Sequence, residues 1–207
     1  FTASGLSGAK AANYKLSCTS AQTADEYEIT PMKVSFTVGQ TAFVYDGSDK
    51  QLAVSASDEA GRFFRGYGIK YYAVTENGKT PLADGEYPNG ASEYSAEITA
   101  DSANYEISGA SEFDIRIEKA AQNQLVIDGL PGTVEYGDSF ELTAFGGADG
   151  GRYEWTVVSG NAQLSSNDAE KTTVTVSGTG KTVIRAARIS DNYKSTEASV
   201  TFTAAPK

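Results

Sequence analysis

The residues of this chain that could do chemistry are carboxylates and aromatic rings. Its 207 residues hold 27 Asp and Glu against 17 Lys and Arg, one cysteine and no histidine. Without histidine, the commonest general base and the usual nitrogen ligand for metals are missing. Asp46 with Asp49, Asp58 with Glu59, and Asp168 with Glu170 are near enough in sequence to form acid/base pairs of the kind that hydrolyse glycosides. Each pair falls in turn-like sequence, where solvated acids are ordinary, and none follows the twelve-residue calcium loop with its Gly and closing Glu. Cys18 would need a base beside it to become a nucleophile, and it reads as a small packing residue. No catalytic residue, metal site or cofactor is expected, and the chain is not expected to be an enzyme.

The aromatic stretch "GRFFRGYGIKYYAVT" at 61–75 is the more suggestive feature. Exposed rings stack on sugars or proteins, and a neighbouring guanidinium can bond to hydroxyls or carboxylates. Phe63, Phe64 and Tyr67, with Arg62 and Arg65, are therefore the candidate ligand-binding residues, displayed on a longer loop. Packing is the competing reading, because aromatics commonly fill cores, and either Tyr71 or Tyr72 must face inward by alternation.

Charge narrows the partners. A formal net charge of -10 leaves no basic stripe for phosphate, so nucleic acid is excluded, and no Lys/Arg cluster marks an anionic membrane surface. No apolar run approaches the roughly 20 residues that span a bilayer, so no membrane insertion is expected within this segment. A single cysteine forms no disulfide within the chain. "LPGTV" at 130–134 resembles a sortase signal only superficially: Val134 stands where Gly is required, and a turn between strands is expected there.

Internal repetition indicates the elements that must position these groups. "ANYKLS" at 12–17 returns as "ANYEIS" at 103–108 and as "DNYKS" at 191–195, so Tyr14, Tyr105 and Tyr193 are 91 and 88 residues apart. Tyr45-Asp46-Gly47 and Tyr136-Gly137-Asp138 share the 91-residue interval. A period near 90 is too long for a solenoid repeat and suits a string of domains. The units fall at 31–120 and 121–207, with residues 1–30 matching the closing part of a preceding repeat.

Each unit carries period-two alternation: Val34, Phe36 and Val38; Phe113, Ile115 and Ile117; Phe140, Leu142 and Ala144; Tyr153, Trp155 and Val157; Ala198, Val200 and Phe202. Asp-Gly and Asn-Gly pairs punctuate these runs, and Asn77-Gly78 has the chemistry of a tight hairpin turn with both central residues at positive φ. No helical periodicity stands out, and Ala21–Tyr27 could form one turn of helix at most. The fold class expected is all-β, with tandem Ig-like antiparallel sandwiches of about seven strands each and a β-grasp-like arrangement as the alternative for the first complete unit. The recurring tyrosine precedes each last strand, where a corner must be turned, so Tyr14, Tyr105 and Tyr193 are expected to pack there with the hydroxyl bonded back to backbone.

The residues also resemble known bacterial surface modules. "FTASGLSGAKAANYKLS" looks like the end of a YDG-type repeat. "FVYDGSDKQLAVSA" through "YYAVTENGKTPLADGEYPNGASEYSAEITADSANYEISGASEFDIRIEKA" is similar to an MBG-type module, although Gly90-Ala91-Ser92-Glu93-Tyr94 departs from the usual Asp-Ala-Gly-Thr-Tyr. "YEWTVVSGNAQL", "TVTVSGTGKTVIRAAR" and "DNYKSTEASVTFTA" resemble a bacterial Ig-like (Big) domain. The resemblance implies an extracellular, cell-surface location and a non-catalytic stalk, spacer or adhesive segment, with neighbouring domains of the same parent chain as partners. Binding of host glycan or mucin, or service as accessory modules of a surface glycoside hydrolase, are the alternatives. Residues 1–30 would then need apolar cover from the following unit or a neighbouring chain.

Overall fold

The computed structural model describes residue 11, residues 14–16 and residues 29–207. Cys18 and the stretch Ala21–Tyr27 lie outside the described residues. Among the described residues there are seventeen strands: β1 Tyr14–Leu16, β2 Ile29–Val38, β3 Ala42–Val44, β4 Val54–Asp58, β5 Tyr67–Thr75, β6 Gly78–Pro81, β7 Glu93–Ala100, β8 Tyr105–Ile107, β9 Glu112–Glu118, β10 Leu125–Asp128, β11 Val134–Glu135, β12 Ser139–Gly146, β13 Arg152–Ser159, β14 Ala162–Leu164, β15 Lys171–Val176, β16 Gly180–Ile189 and β17 Thr196–Ala205. The described residues divide into two compact units, one reaching Phe43 and resuming over Gly47–Ile117, the other Val44–Asp46 with Glu118–Lys207.

In the first unit one sheet runs β1-β2-β4, with β8 also paired to β2, and the facing sheet runs β3-β9-β7-β5-β6. Alternation decides which side chains meet between them. Val34 and Phe36 from β2, Ala56 from β4 and Ile98 from β7 are buried together with Phe64, while Leu52, Tyr71, Ala96 and Ile115 fill the other end. Tyr71 is the inward member of its pair; Tyr72 faces out and donates its hydroxyl to Glu97 at 2.7 Å. Apolar residues from both sheets thus build one sandwich core rather than a sheet wrapped on a helix. β1 pairs with the first residues of β2, Tyr14 opposite Pro31.

The second unit packs the sheet β10-β12-β15-β14 on the sheet β11-β17-β16-β13. Leu125, Leu142, Ala144, Trp155, Val174, Val176, Ile184, Ala186 and Phe202 make its core. The order β11-β17-β16-β13 repeats β3-β9-β7-β5, so the two units carry the same sheet in the same strand order. Val134, the last residue of "LPGTV", is buried as the first residue of β11 and the four before it form the connection.

One turn differs from expectation. Thr75 pairs with Gly78, which makes Glu76 and Asn77 the central residues of the β5–β6 hairpin, and among the described residues only glycines take positive φ. Gly78, at φ 114°, follows the turn and absorbs the left-handed step, while Thr75 Oγ1 accepts the Asn77 amide at 3.3 Å. A turn in ordinary right-handed geometry followed by one left-handed glycine needs no strained asparagine, and that is why it replaces the expected tight form.

Candidate functional site

The 62–67 stretch is pinned to the edge of β4. The Phe64 amide donates to Ala56 O at 2.9 Å, the Asp58 amide to Arg62 O at 3.0 Å, and Phe63 bridges Ser57. A segment without strand periodicity therefore covers an open edge, and successive side chains go to opposite sides. Phe64 is 8% exposed and lies against Tyr105, ring centres 4.5 Å apart, and against Phe36. Tyr67 is half-buried, edge-on to Phe36 at 5.3 Å. Both are core residues, because filling the space between the sheets takes their ring faces. Phe63 alone among these rings projects, at 69% exposure, with the Arg65 guanidinium 5.3 Å from its centre.

Arg62 has a separate task. Asp58 Oδ1 accepts the Ala60 and Arg62 amides at 2.9 Å each, and Oδ2 meets Arg62 Nε at 2.7 Å. The Arg62 amide leads in holding this carboxyl below its ordinary 3.8; partial desolvation opposes it, and the guanidinium and the Ala60 amide add to the lowering. A carboxyl depressed on folding contributes stability above its unfolded pKa, and that contribution disappears as pH falls through the lower, folded value. Asp58→Asn is therefore expected to flatten the loss of stability on acidification below pH about 4. Urea midpoints between pH 2 and 6 check this: parallel profiles for the two proteins would remove Asp58 from the account.

Of the other acids, Asp168 accepts from Ser166 Oγ at 2.8 Å, Asp49 faces the Asn89 amide at 3.4 Å, and Asp46, Glu59 and Glu170 are exposed. Among the described residues no three acid or cysteine side chains converge as a metal ion requires.

The recurring Asn-Tyr resolves into a main-chain latch. The Met32 amide donates to Asn104 O at 2.9 Å, and the Ala120 amide to Asn192 O at 3.0 Å. In each copy a serine two residues before the asparagine accepts the asparagine amide, Ser102 and Ser190, both at 3.3 Å. Each tyrosine then runs parallel to the opening segment: Tyr105 opposite Met32 in the β2–β8 pair, Tyr193 opposite Ala120. The Tyr105 ring packs on Phe64; the Tyr193 ring lies edge-on to Tyr45 at 5.3 Å. Tyr14 opens β1, and its side chain lies outside the described residues.

The second periodic marker is a companion bond. The Tyr45 amide donates to Glu118 O and the Tyr136 amide to Ala205 O, both at 2.9 Å. Gln122 strengthens the second copy, its amide donating to Arg188 O at 2.9 Å and Lys194 O at 2.7 Å while its oxygen accepts from Ala148. Sequence reasoning found the period and not these bonds. Main-chain partners leave no side-chain signature, and the shared Ser-x-Asn-Tyr of 102–105 and 190–193 was the available clue.

No protein-family model matches the chain, and no curated protein matches it. Among solved structures, the adhesin InvE of Yersinia pseudotuberculosis aligns at 16% identity with a TM-score of 0.39, covering 83% of this chain and 58% of the adhesin. The D00-D0 domain of intimin aligns at 14% identity and 0.31, covering 82% of this chain and 98% of the other; the N-terminal four Ig domains of Dscam1 align at 13% and 0.38, covering 88% and 51%.

Proposed function

We propose that the chain is a non-catalytic, load-bearing spacer of a large bacterial surface protein, extracellular, built from the YDG-, MBG- and Big-type modules that its sequence resembles. The observation that carries this reading is the twice-built latch. In each unit a segment near the beginning pairs in parallel with one near the end, β2 with β8 and Ala120 with Tyr193; in the second, β11 also runs parallel to β17. In a parallel pair the two outgoing chain ends lie at opposite ends of the ladder. Tension applied through the termini then loads the hydrogen bonds in shear, where several must break together, rather than one at a time. The alternative reading, a glycan or mucin site on the 62–67 loop, narrows to Phe63 and Arg65, because Phe64 and Tyr67 are occupied in the core and Arg62 is held by Asp58.

Pulling single molecules by their termini tests the proposal. Two unfolding steps are expected, each releasing about 90 residues, or roughly 300 Å of extended chain. Ala120→Pro deletes the donor to Asn192 O and is expected to lower the force of one step while leaving the other in place. A single step, or an unaltered force in that variant, would count against a latch that bears load.

A further inference from the structure

The two units diverge between equivalent strands. After β13 the second unit builds β14 and β15 into its other sheet; after β5 the first has β6 and then residues 82–92 without a strand. That strandless segment encloses a cleft of about 300 Å³, at the small end of the roughly 300–1,000 Å³ typical of ligand sites. Leu82, Tyr87 and Tyr94 line it as half-buried groups, and Asp49, Glu86 and Asn89 stand exposed at its rim.

Its walls are fixed from behind. Pro88 is fully buried, and its carbonyl accepts the Lys50 amide at 2.7 Å. The Tyr87 ring is held edge-on to buried Tyr71 at 5.5 Å. The Tyr94 hydroxyl donates to Gly90 O at 3.1 Å and accepts the Gly90 amide at 3.2 Å. Glu86 Oε2 accepts the Ala83 amide at 3.1 Å. A cleft held this way loses little freedom when a ligand enters.

Its chemistry is selective. Two aromatic residues offer apolar surface, two carboxylates accept hydrogen bonds, and the Asn89 amide both donates and accepts; no Lys or Arg side chain lines it. Sugar hydroxyls also donate and accept, and a pyranose has a C–H face that lies well on an aromatic ring. Carboxylated sugars would bring a like charge to Asp49 and Glu86. We infer that this cleft binds one or two rings of a neutral saccharide, its apolar face on Tyr87 and Tyr94 and its hydroxyls on Asp49 and Asn89. The inference stands independently of the load-bearing reading and of Phe63.

Saturation-transfer NMR on the full chain tests it, with methyl glycosides of galactose, mannose, fucose and N-acetylglucosamine against glucuronic acid and N-acetylneuraminic acid. Transfer to at least one neutral sugar and to neither acid is expected. Asp49→Ala with Asn89→Ala, both at exposed positions, should weaken binding about tenfold or more. Asp49→Asn, nearly isosteric, should weaken it in the same direction with the thermal midpoint unchanged, and Phe63→Ala should bind like the parent. Silence from every neutral sugar, undiminished binding in the double variant, or stronger binding of Nα-acetyl-lysine methylamide than of any sugar would overturn the assignment, the last by making the cleft an ammonium site.

Discussion

Trp155→Ala is expected to cost the second unit about 3–5 kcal/mol, the usual range for deleting a large buried ring. Trp155 is 2% exposed in β13, among Leu142, Val174 and Ile184, and its indole Nε1–H donates to Ala169 O at 2.8 Å. Alanine leaves a cavity between two sheets whose backbones are already tied by ladders, and it also leaves the Ala169 carbonyl to find another donor. The remaining stability of a domain is commonly only about 5–15 kcal/mol, so the unit should approach its unfolding threshold. Since this is the chain's one tryptophan, the readout must be calorimetry or far-ultraviolet circular dichroism in urea. Trp155→Phe keeps much of the volume and loses the hydrogen bond, so a loss of about 1–2 kcal/mol is expected for it. Equal losses for the two variants would mean that the bond to Ala169, and not the packing, dominates.

Gly146→Ala should rival it through the backbone. Gly146 closes β12 at φ 101°, and a Cβ there would stand 2.3 Å from the Gln124 carbonyl oxygen. Gly129, just past β10 at φ 99°, meets the Glu141 carbonyl oxygen at the same 2.3 Å, so glycines guard both ends of the β10–β12 ladder. The left-handed conformation alone costs a substituted residue about 1–2 kcal/mol. Relief of the clash requires β10 to move from β12, and the total is expected to exceed about 3 kcal/mol. Gly150→Ala is the comparison: its φ is 75° but nothing lies within 4 Å of the added carbon, so only the conformational part, about 1–2 kcal/mol, should appear. Urea unfolding of the two variants checks the difference, and matching losses would show that the close approach relaxes freely.

The strands were legible where burial imposes a period of two. Val34 and Phe36, or Phe113, Ile115 and Ile117, alternate because one face meets a core and the other water. Tyr71 against Tyr72 was decided by the same rule once a register existed. Phe64 was not legible, because it enters the core from a segment that only borders β4, where no alternation operates. The latch was visible as an interval and not as a bond. Nor did the sequence disclose the cleft, since Asp49 and Asn89 are forty residues apart and meet only through the path of 82–92 around Pro88.

Two similar latches in one polypeptide create a hazard of strand exchange, in which the opening segment of one unit seats in the receptor of the other. The charges beside the latches oppose it. Lys33 lies opposite Glu106 in its own unit, and in the second unit Lys194 follows Tyr193 as Glu106 follows Tyr105. Seated on Tyr193-Lys194 in the register it keeps with Tyr105-Glu106, the opening segment of the first unit would set Lys33 against Lys194, a like charge. Such a repulsion would favour seating each opening segment in its own unit when the whole chain refolds.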